Sequence, residues 1–467
     1  MIFNSLTFAY FFAILLMVNA LLPLRFRNGW ILAGGVVFYM SWSPVYILLL
    51  LVTAAVDYVI AIRMADLPSK EQRKPWLIAS LVFSLGSLAF FKYTTMALGT
   101  VTDLSSWLGL GWRPPHFEVA LPLGISFYTF ETVSYAVDVY RGDLQPKRSF
   151  FQYLSFLMFF PKLIAGPIVR ASELLHQIPR DRLCTPAAFQ EGLNLLLIGF
   201  GKKVLLADNF APFVERVFAH PSEHNRWMNI VAVYGYSMQV YFDFSAYSDM
   251  ARGCARWMGY ELPENFDKPY LATSITDFWR RWHKTLSRWL RDYFYIPMGG
   301  NGGGRLLTYR NLFLTMLVGG LWHGANWTFV AWGALNGSFL VIEKAWHDMR
   351  GVKVKRTDQM SWSEALLRGF IVFNLITFTR IFFRSPDFKT AIEVLRAIGS
   401  PVVRTADIHP GLVLIPLATV AYMLASPLRR RILAWKPTVG QAVAYGAVAA
   451  LMVYFGASNA EFIYFQF

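Results

Sequence analysis

Apolar runs long enough to cross a bilayer recur along the whole chain, and they limit the fold more than any other feature. In hydrocarbon every backbone polar group needs an internal partner, so only helices or closed barrels can span. The runs are continuous rather than alternating, which selects helices. Of the 467 residues, 55% are hydrophobic and only 16% are charged, where a soluble domain carries about 25% charged residues. No polar stretch is long enough to form a separate soluble domain. The expectation is a single all-α, polytopic membrane domain over residues 1–467.

The spans read as follows. Leu6–Leu22 comes first, with no Lys or Arg before it and Arg25 and Arg27 after it. That order is wrong for a cleaved secretory signal and predicts a retained helix with its N-terminus outside. Trp30–Met40 is too short to cross upright, and Val45–Ile62 returns after a turn. Trp76–Leu98 runs out and an external loop covers 99–118. Val119–Tyr140 returns, carrying Glu131 and Asp138. Phe151–Ile164, followed by Gly166-Pro167, suits a re-entrant segment. Phe189–Leu206 and Trp227–Phe244 form the next pair, and Lys202 and Lys203 fit poorly at the outer end of the first. Apolar sequence on both sides of Gly319–Asn326, then Ile371–Phe383, Leu412–Leu424 and Val443–Phe455, complete the set.

The net charge of +15 lies in short loops between apolar runs. That is the positive-inside pattern rather than a nucleic-acid-binding patch, and no nucleic-acid recognition module is visible. Four basic residues in the external loop 384–404 weaken the pattern there. Cys184 and Cys254 both fall on the cytoplasmic side, which argues against a structural disulfide. No Cys/His cluster has metal-ligand spacing, and no Gly-x-Ser-x-Gly elbow is present.

The chemistry-bearing stretch is Gly319-Gly320-Leu321-Trp322-His323-Gly324-Ala325-Asn326. An ionisable group at membrane depth marks a polar pathway or a reaction centre by default. Imidazole exchanges protons near neutral pH, so His323 is the candidate general base of a buried acyl-transfer site. The competing reading is a hydrogen-bonded core histidine. Gly319, Gly320 and Gly324 permit close approach of another backbone or a slender substrate. Trp322 and other aromatics would exclude water, and Asn326 is a candidate donor to a developing oxyanion.

A second constellation is the amphipathic run Thr276–Phe294. On one helix, Phe278, Trp282, Leu286, Trp289 and Tyr293 share a face, with Arg280, Lys284, Arg288 and Arg291 opposite and His283 at the edge. Arg281 adds to the cations. These charges suit anionic lipid or the attraction of an anionic thioester donor. His283 is then placed to meet His323. In Tyr241–Asp249, Asp243 is a candidate to orient a histidine. Asp249 reads as a structural ion pair, with Lys or Arg of the basic helix as partner. Glu264–Tyr270 is a polar elbow leading into the basic run. The glycines of 299–304 lack a phosphate-loop ending and read as a turn.

Asp277–His283, Gly320–Asn326 and Tyr241–Asp249, with Leu121–Tyr128 and Ile164–Pro167, resemble the membrane-bound O-acyltransferase family. The resemblance is closer to its bacterial polysaccharide branch, the alginate and cellulose acetylation type. It implies a ring of ten or more helices with re-entrant segments around a thinned centre and a channel. His323 would be the catalytic histidine and His283 a second functional one. It implies a cytoplasmic acetyl donor, acetyl-CoA or another acetyl thioester, with no tightly bound cofactor, in a bacterial inner membrane. It also implies delivery outside, to periplasmic acetyltransferase or relay proteins and a polysaccharide synthase complex. The acetyl group would pass to a sugar hydroxyl or a partner's serine, or briefly to a histidine. D-alanyl transfer to teichoic acid stays open within the family, and a transporter without chemistry stays open outside it. Ala246 stands where the family motif often has glycine.

Overall fold

The computed structural model describes residues 1–400 apart from residues 43, 114–118, 179–183 and 352–356, together with Gly446. The expected spans Leu412–Leu424 and Val443–Phe455 lie outside the described residues, as do Lys353, Lys355 and Arg356. The described residues form helices and no strand. They fall into two compact units: Met1–Gly192 with Ala251–Pro263, and Leu193–Met250 with everything from Glu264 onward.

The first unit contains α1 (Leu6–Leu21), α2 (Leu24–Met40), α3 (Tyr46–Asp66), α4 (Lys70–Trp107) and α5 (Ile125–Arg141). The short helices α6 (Phe150–Leu157), α7 (Phe160–Leu163) and α8 (Ala171–Leu174) follow, and α9 (Pro186–Phe200) begins here. Helices α3, α4 and α5 pack on one another. Both α3 and α4 are long and apolar enough to cross a membrane. Their surface is inverted relative to a soluble helix. Ile78, Val82 and Phe90 are exposed while Ser80, Ser84 and Lys92 are buried, as expected where lipid is the solvent and polar groups need protein partners. Asp57 accepts hydrogen bonds from Ser80 (2.6 Å) and Ser84 (3.2 Å). Glu131 pairs with the fully buried Lys162.

Two sequence expectations change here. Trp76–Leu98 is the middle of a 38-residue helix that Ser69 caps and that runs on to Trp107, so much of the expected external loop is helical. The helix within Val119–Tyr140 starts only at Ile125, after Gly124 at φ +74°. A Cβ on Gly124 would lie 2.6 Å from the Leu163 carbonyl oxygen. Phe151–Ile164 is a broken, buried pair of helices of 8 and 4 residues, neither long enough to span. Gly166 turns the chain where a Cβ would meet the Lys162 Cα at 2.5 Å.

The second unit holds the end of α9, a π-helical stretch Gly201–Ala207, α10 (Asp208–Ala219) and most of α11 (Arg226–Trp257). It continues with α12 (Ile275–Arg281), α13 (Lys284–Leu290), α14 (Arg305–His323), α15 (Trp327–Arg350), α16 (Trp362–Arg384) and α17 (Phe388–Gly399). Helix α16 is also long and apolar enough to cross a membrane. Its core is aromatic, with Tyr236, Phe242, Phe278, Trp282 and Trp332 all buried.

The expected span Trp227–Phe244 is part of the 32-residue α11, so Tyr241–Asp249 lies inside a helix rather than near its end. The lysines that fit the topology poorly explain the two carboxylates of that cluster. Lys202 pairs with Asp249 at 2.6 Å, and Lys203 lies 2.7 Å from both Asp208 and Asp243. The π-helical stretch therefore supplies a partner for each of the two carboxylates. A π turn shifts the side-chain register, and here it aims both lysines at buried carboxylates.

Candidate active site

His323 is the last residue of α14. Two glycines let α14 lie against α15. A Cβ on Gly320 would come 2.3 Å from the Phe329 carbonyl oxygen, and one on Gly333 would come 2.6 Å from that of Met316. A Cβ on Gly324 would strike the Phe329 ring at 2.2 Å. Gly320 and Gly324 thus serve the close packing of α15, rather than leaving room for a substrate.

Three rings surround His323, which is only 5% exposed. Trp322, Trp332 and Phe383 each have a centroid 5.1 Å from the imidazole. Trp322 also lies 5.7 Å from His283. Buried rings on three sides keep bulk water from the imidazole.

His283 is reached through a break that helical periodicity does not show. The run Thr276–Phe294 is not one helix. It divides into α12, α13 and a π-helical turn Arg291–Tyr295, with His283 between the first two at φ +43°. A non-glycine residue there is strained, and such strain concentrates at functional sites. The polar elbow holds the break open. Asp267 N–H donates to the Arg281 carbonyl (3.0 Å), and Lys284 N–H donates to the Asn265 carbonyl (2.9 Å). The Asn265 side-chain oxygen accepts from Thr285 N–H and its hydroxyl (3.2 and 2.9 Å). At the other end of α12, Glu343 of α15 accepts from the Ile275 and Thr276 N–H groups. As a result His283 is fully buried rather than at the edge of an apolar face. It packs edge-on against Phe244 at 4.6 Å, and its centroid is 6.4 Å from that of His323.

The other predicted residues have definite places. The Asn326 side-chain oxygen caps α15 through Thr328 N–H (3.0 Å) and its hydroxyl (3.2 Å), and its NH₂ donates to the Pro386 carbonyl (2.6 Å). The two ends of the amide thus tie the start of α15 to the segment just after α16, which is a scaffold role. Asp243 is ion-paired with Lys203. Arg281 pairs with Asp277 (2.9 Å) and Lys284 with Glu264 (2.8 Å), so part of the basic cluster is neutralised locally. Arg280 is exposed, and Arg288 is half-buried.

Sequence reasoning missed Arg380. It is 1% exposed, with its guanidinium 4.4 Å from the Trp282 ring and 5.3 Å from the Phe383 ring. Its available signal was an arginine inside the apolar run 371–383. Trp332 and Phe383 were missed too, because an aromatic in apolar sequence announces nothing. Among the described residues no group of His, Cys, Asp and Glu is arranged to hold a metal ion.

Comparison with known proteins identifies the family of the chain. The chain is 39% identical over 406 residues to a probable alginate O-acetylase of Azotobacter vinelandii, covering 86% of this chain and 78% of that protein. It is 36% identical over 406 residues to a peptidoglycan O-acetyltransferase of Helicobacter pylori, covering 80% and 74%. A teichoic acid D-alanyltransferase of Streptococcus thermophilus is 30% identical over 286 residues, covering 56% and 68%. The pattern of the membrane-bound O-acyltransferase family matches residues 76–384, a stretch that includes both histidines and their aromatic surround. The chain is a membrane protein and an acyltransferase enzyme, and it belongs to the membrane-bound O-acyltransferase family.

Proposed function

We propose that this protein moves an acetyl group from a cytoplasmic thioester, acetyl-CoA in the simplest case, for O-acetylation of an exported polysaccharide, with His323 as general base. One observation carries the reading: two buried histidines, one at the end of α14 and one in the break between α12 and α13, meet among aromatic rings, 6.4 Å apart between centroids. The alginate and peptidoglycan relatives support the acetyl group and the saccharide acceptor.

His323 takes the proton of the incoming hydroxyl. The hydroxyl oxygen attacks the thioester carbonyl, and the carbon–oxygen π pair moves onto oxygen. That pair then returns, the carbon–sulfur bond breaks, and the leaving thiolate takes the proton from the imidazolium. The partial negative charge at the C-terminus of α14 favours the imidazolium formed midway. Base catalysis of this kind contributes about 10²–10⁴-fold. His283 lies close enough to orient a reacting group, and Arg280 and Arg288 suit an anionic donor. The location is a bacterial inner membrane, and Arg25 and Arg27 after the first helix, with no Lys or Arg before it, support an N-terminus in the periplasm. A ring of ten or more helices with re-entrant segments around a channel would let a cytoplasmic donor serve a periplasmic acceptor. Periplasmic relay acetyltransferases and the polysaccharide synthase are the partners this route requires.

The test is the acetate content of exported polysaccharide in cells carrying His323→Ala, with membrane abundance checked. Lost acetylation at normal abundance and normal export supports the proposal. Unchanged acetylation returns His323 to a structural role. Lost export with unchanged acetate per sugar points to a transporter. Release of D-alanine rather than acetate from the wild-type product selects the reading suggested by the D-alanyltransferase relative.

A further inference from the structure

Arg380 is a cation deep in the second unit that the mechanism above leaves unused. It lies on α16, which is long and apolar enough to cross a membrane. An arginine in such a helix is a functional candidate by default, and its partner should be named. Here the Nε and one terminal NH₂ group are buried with no hydrogen-bond acceptor among the described residues. The guanidinium stacks on Trp282 at 4.4 Å and lies 5.3 Å from the Phe383 centroid. Its protein contacts are therefore mainly ring faces, together with the Tyr270 hydroxyl. That hydroxyl donates to the Ser237 carbonyl at 2.6 Å, which leaves it able to accept from Arg380.

The surroundings repeat the pattern. The Trp332 indole N–H and the Tyr236 hydroxyl are also buried without partners. Trp332 lies 5.1 Å from Phe383 and Tyr236 lies 6.5 Å from it. Phe383 is the same ring that stands 5.1 Å from His323, and Trp282 immediately precedes His283. Arg380, Trp332 and Tyr236 thus place unmatched donors around a ring shared with the candidate base. Buried donors in this number call for an acceptor. Acyl transfer creates one transiently, as the carbonyl oxygen of the tetrahedral intermediate becomes an oxyanion.

We propose that Arg380 is a catalytic residue whose guanidinium stabilises that oxyanion, with the Trp332 indole N–H as a second donor. The inference rests on the general-base reading of His323. The hydroxyl oxygen bonds to the carbonyl carbon, the π pair moves onto oxygen beside Arg380, and the pair returns as the thiolate leaves. Arg380 gains and loses no proton. Its ring faces fix it in place before the reaction, so little reorganisation is needed as the charge appears.

The test uses membranes containing Arg380→Lys, Arg380→Gln, Arg380→Ala or His323→Ala protein, normalised for abundance. They are supplied with labelled acetyl-CoA and the cell's own polysaccharide. The expected result for Arg380→Gln is a fall in kcat of roughly 10²–10³-fold with little change in KM for acetyl-CoA, and Arg380→Lys should retain part of the rate. Arg380→Ala should regain at least tenfold in kcat when guanidinium is added at a non-denaturing concentration. His323→Ala should not respond, because guanidinium cannot take the hydroxyl proton. A merely structural arginine would show lost abundance or stability without that rescue. Unchanged kcat in Arg380→Gln, or loss in Arg380→Ala that guanidinium does not reverse, overturns the proposal. If His323→Ala stays active, the general-base reading fails by itself, and the guanidinium response still decides the role of Arg380.

Discussion

His283 and His323 stand 6.4 Å apart between ring centroids although they belong to different parts of the helical framework. One sits in a break between two short helices at φ +43°, and the other ends a 19-residue helix. Each is held by its own device: a polar elbow for His283 and a glycine-mediated helix crossing for His323. Both devices are open to test.

The left-handed backbone at His283 separates chemistry from folding. Asparagine tolerates that conformation better than most residues, so His283→Asn should keep normal abundance in the membrane. Acetyl transfer should fall by about 10²–10⁴-fold if the imidazole handles a proton. Quantitative immunodetection alongside acetate per sugar checks this. Full activity at normal abundance would make His283 a packing residue.

Asn265 ties the elbow to α13 through three hydrogen bonds. Replacing it with alanine should cost about 0.5–2 kcal/mol, the range for losing a helix cap, and should also reduce turnover by letting His283 move. Thermal unfolding of the detergent-solubilised protein gives the first value and kcat the second. A stability loss with unaltered kcat would show that the break does not depend on this contact.

For Asn326 the hydrogen bonds lead to the opposite expectation. Asn326→Ala should destabilise by about 0.5–2 kcal/mol as an N-cap loss, with turnover per folded molecule nearly unchanged. A fall of roughly 10²–10³-fold in kcat at intact stability would instead be the signature of a lost oxyanion donor.

Lys203 bridges two buried carboxylates, Asp208 and Asp243, at 2.7 Å each. Lys203→Met removes the cation that both carboxylates share, and breaking a buried pair costs about 3–5 kcal/mol. The variant should be scarce in the membrane, and adding Asp208→Asn and Asp243→Asn should restore part of its abundance. Normal levels of the single variant would show that the carboxylates find other partners.

Gly320→Ala puts a methyl group 2.3 Å from the Phe329 carbonyl oxygen. Because that atom is backbone, helices α14 and α15 must separate, at about 1–3 kcal/mol for overpacking. His323 should shift with its helix, so acetate per sugar should fall further than abundance does. Equal losses of the two would show that the crossing supports the fold but does not set the geometry of the base.

The sequence by itself determined that the chain is helical and membrane-embedded, because apolar runs of that length without alternation leave no other way to satisfy the backbone. It also picked out His323 and His283, since histidines in such surroundings are conspicuous, and the surrounding motifs pointed to the family. Tertiary structure decided what periodicity cannot express. The Thr276–Phe294 pattern is amphipathic enough for one helix, and only the hydrogen bonds of Asp267 and Asn265 show why it breaks at His283. Lys202 and Lys203 look misplaced until a π-helical stretch aims them at carboxylates on α11. Asn326 beside the histidine invites a catalytic role, and only the position of Pro386 shows that its amide ties two helices. Arg380 was visible as a letter in an apolar run. What it does depends on which rings and which unmatched donors lie next to it, and those come from distant parts of the chain.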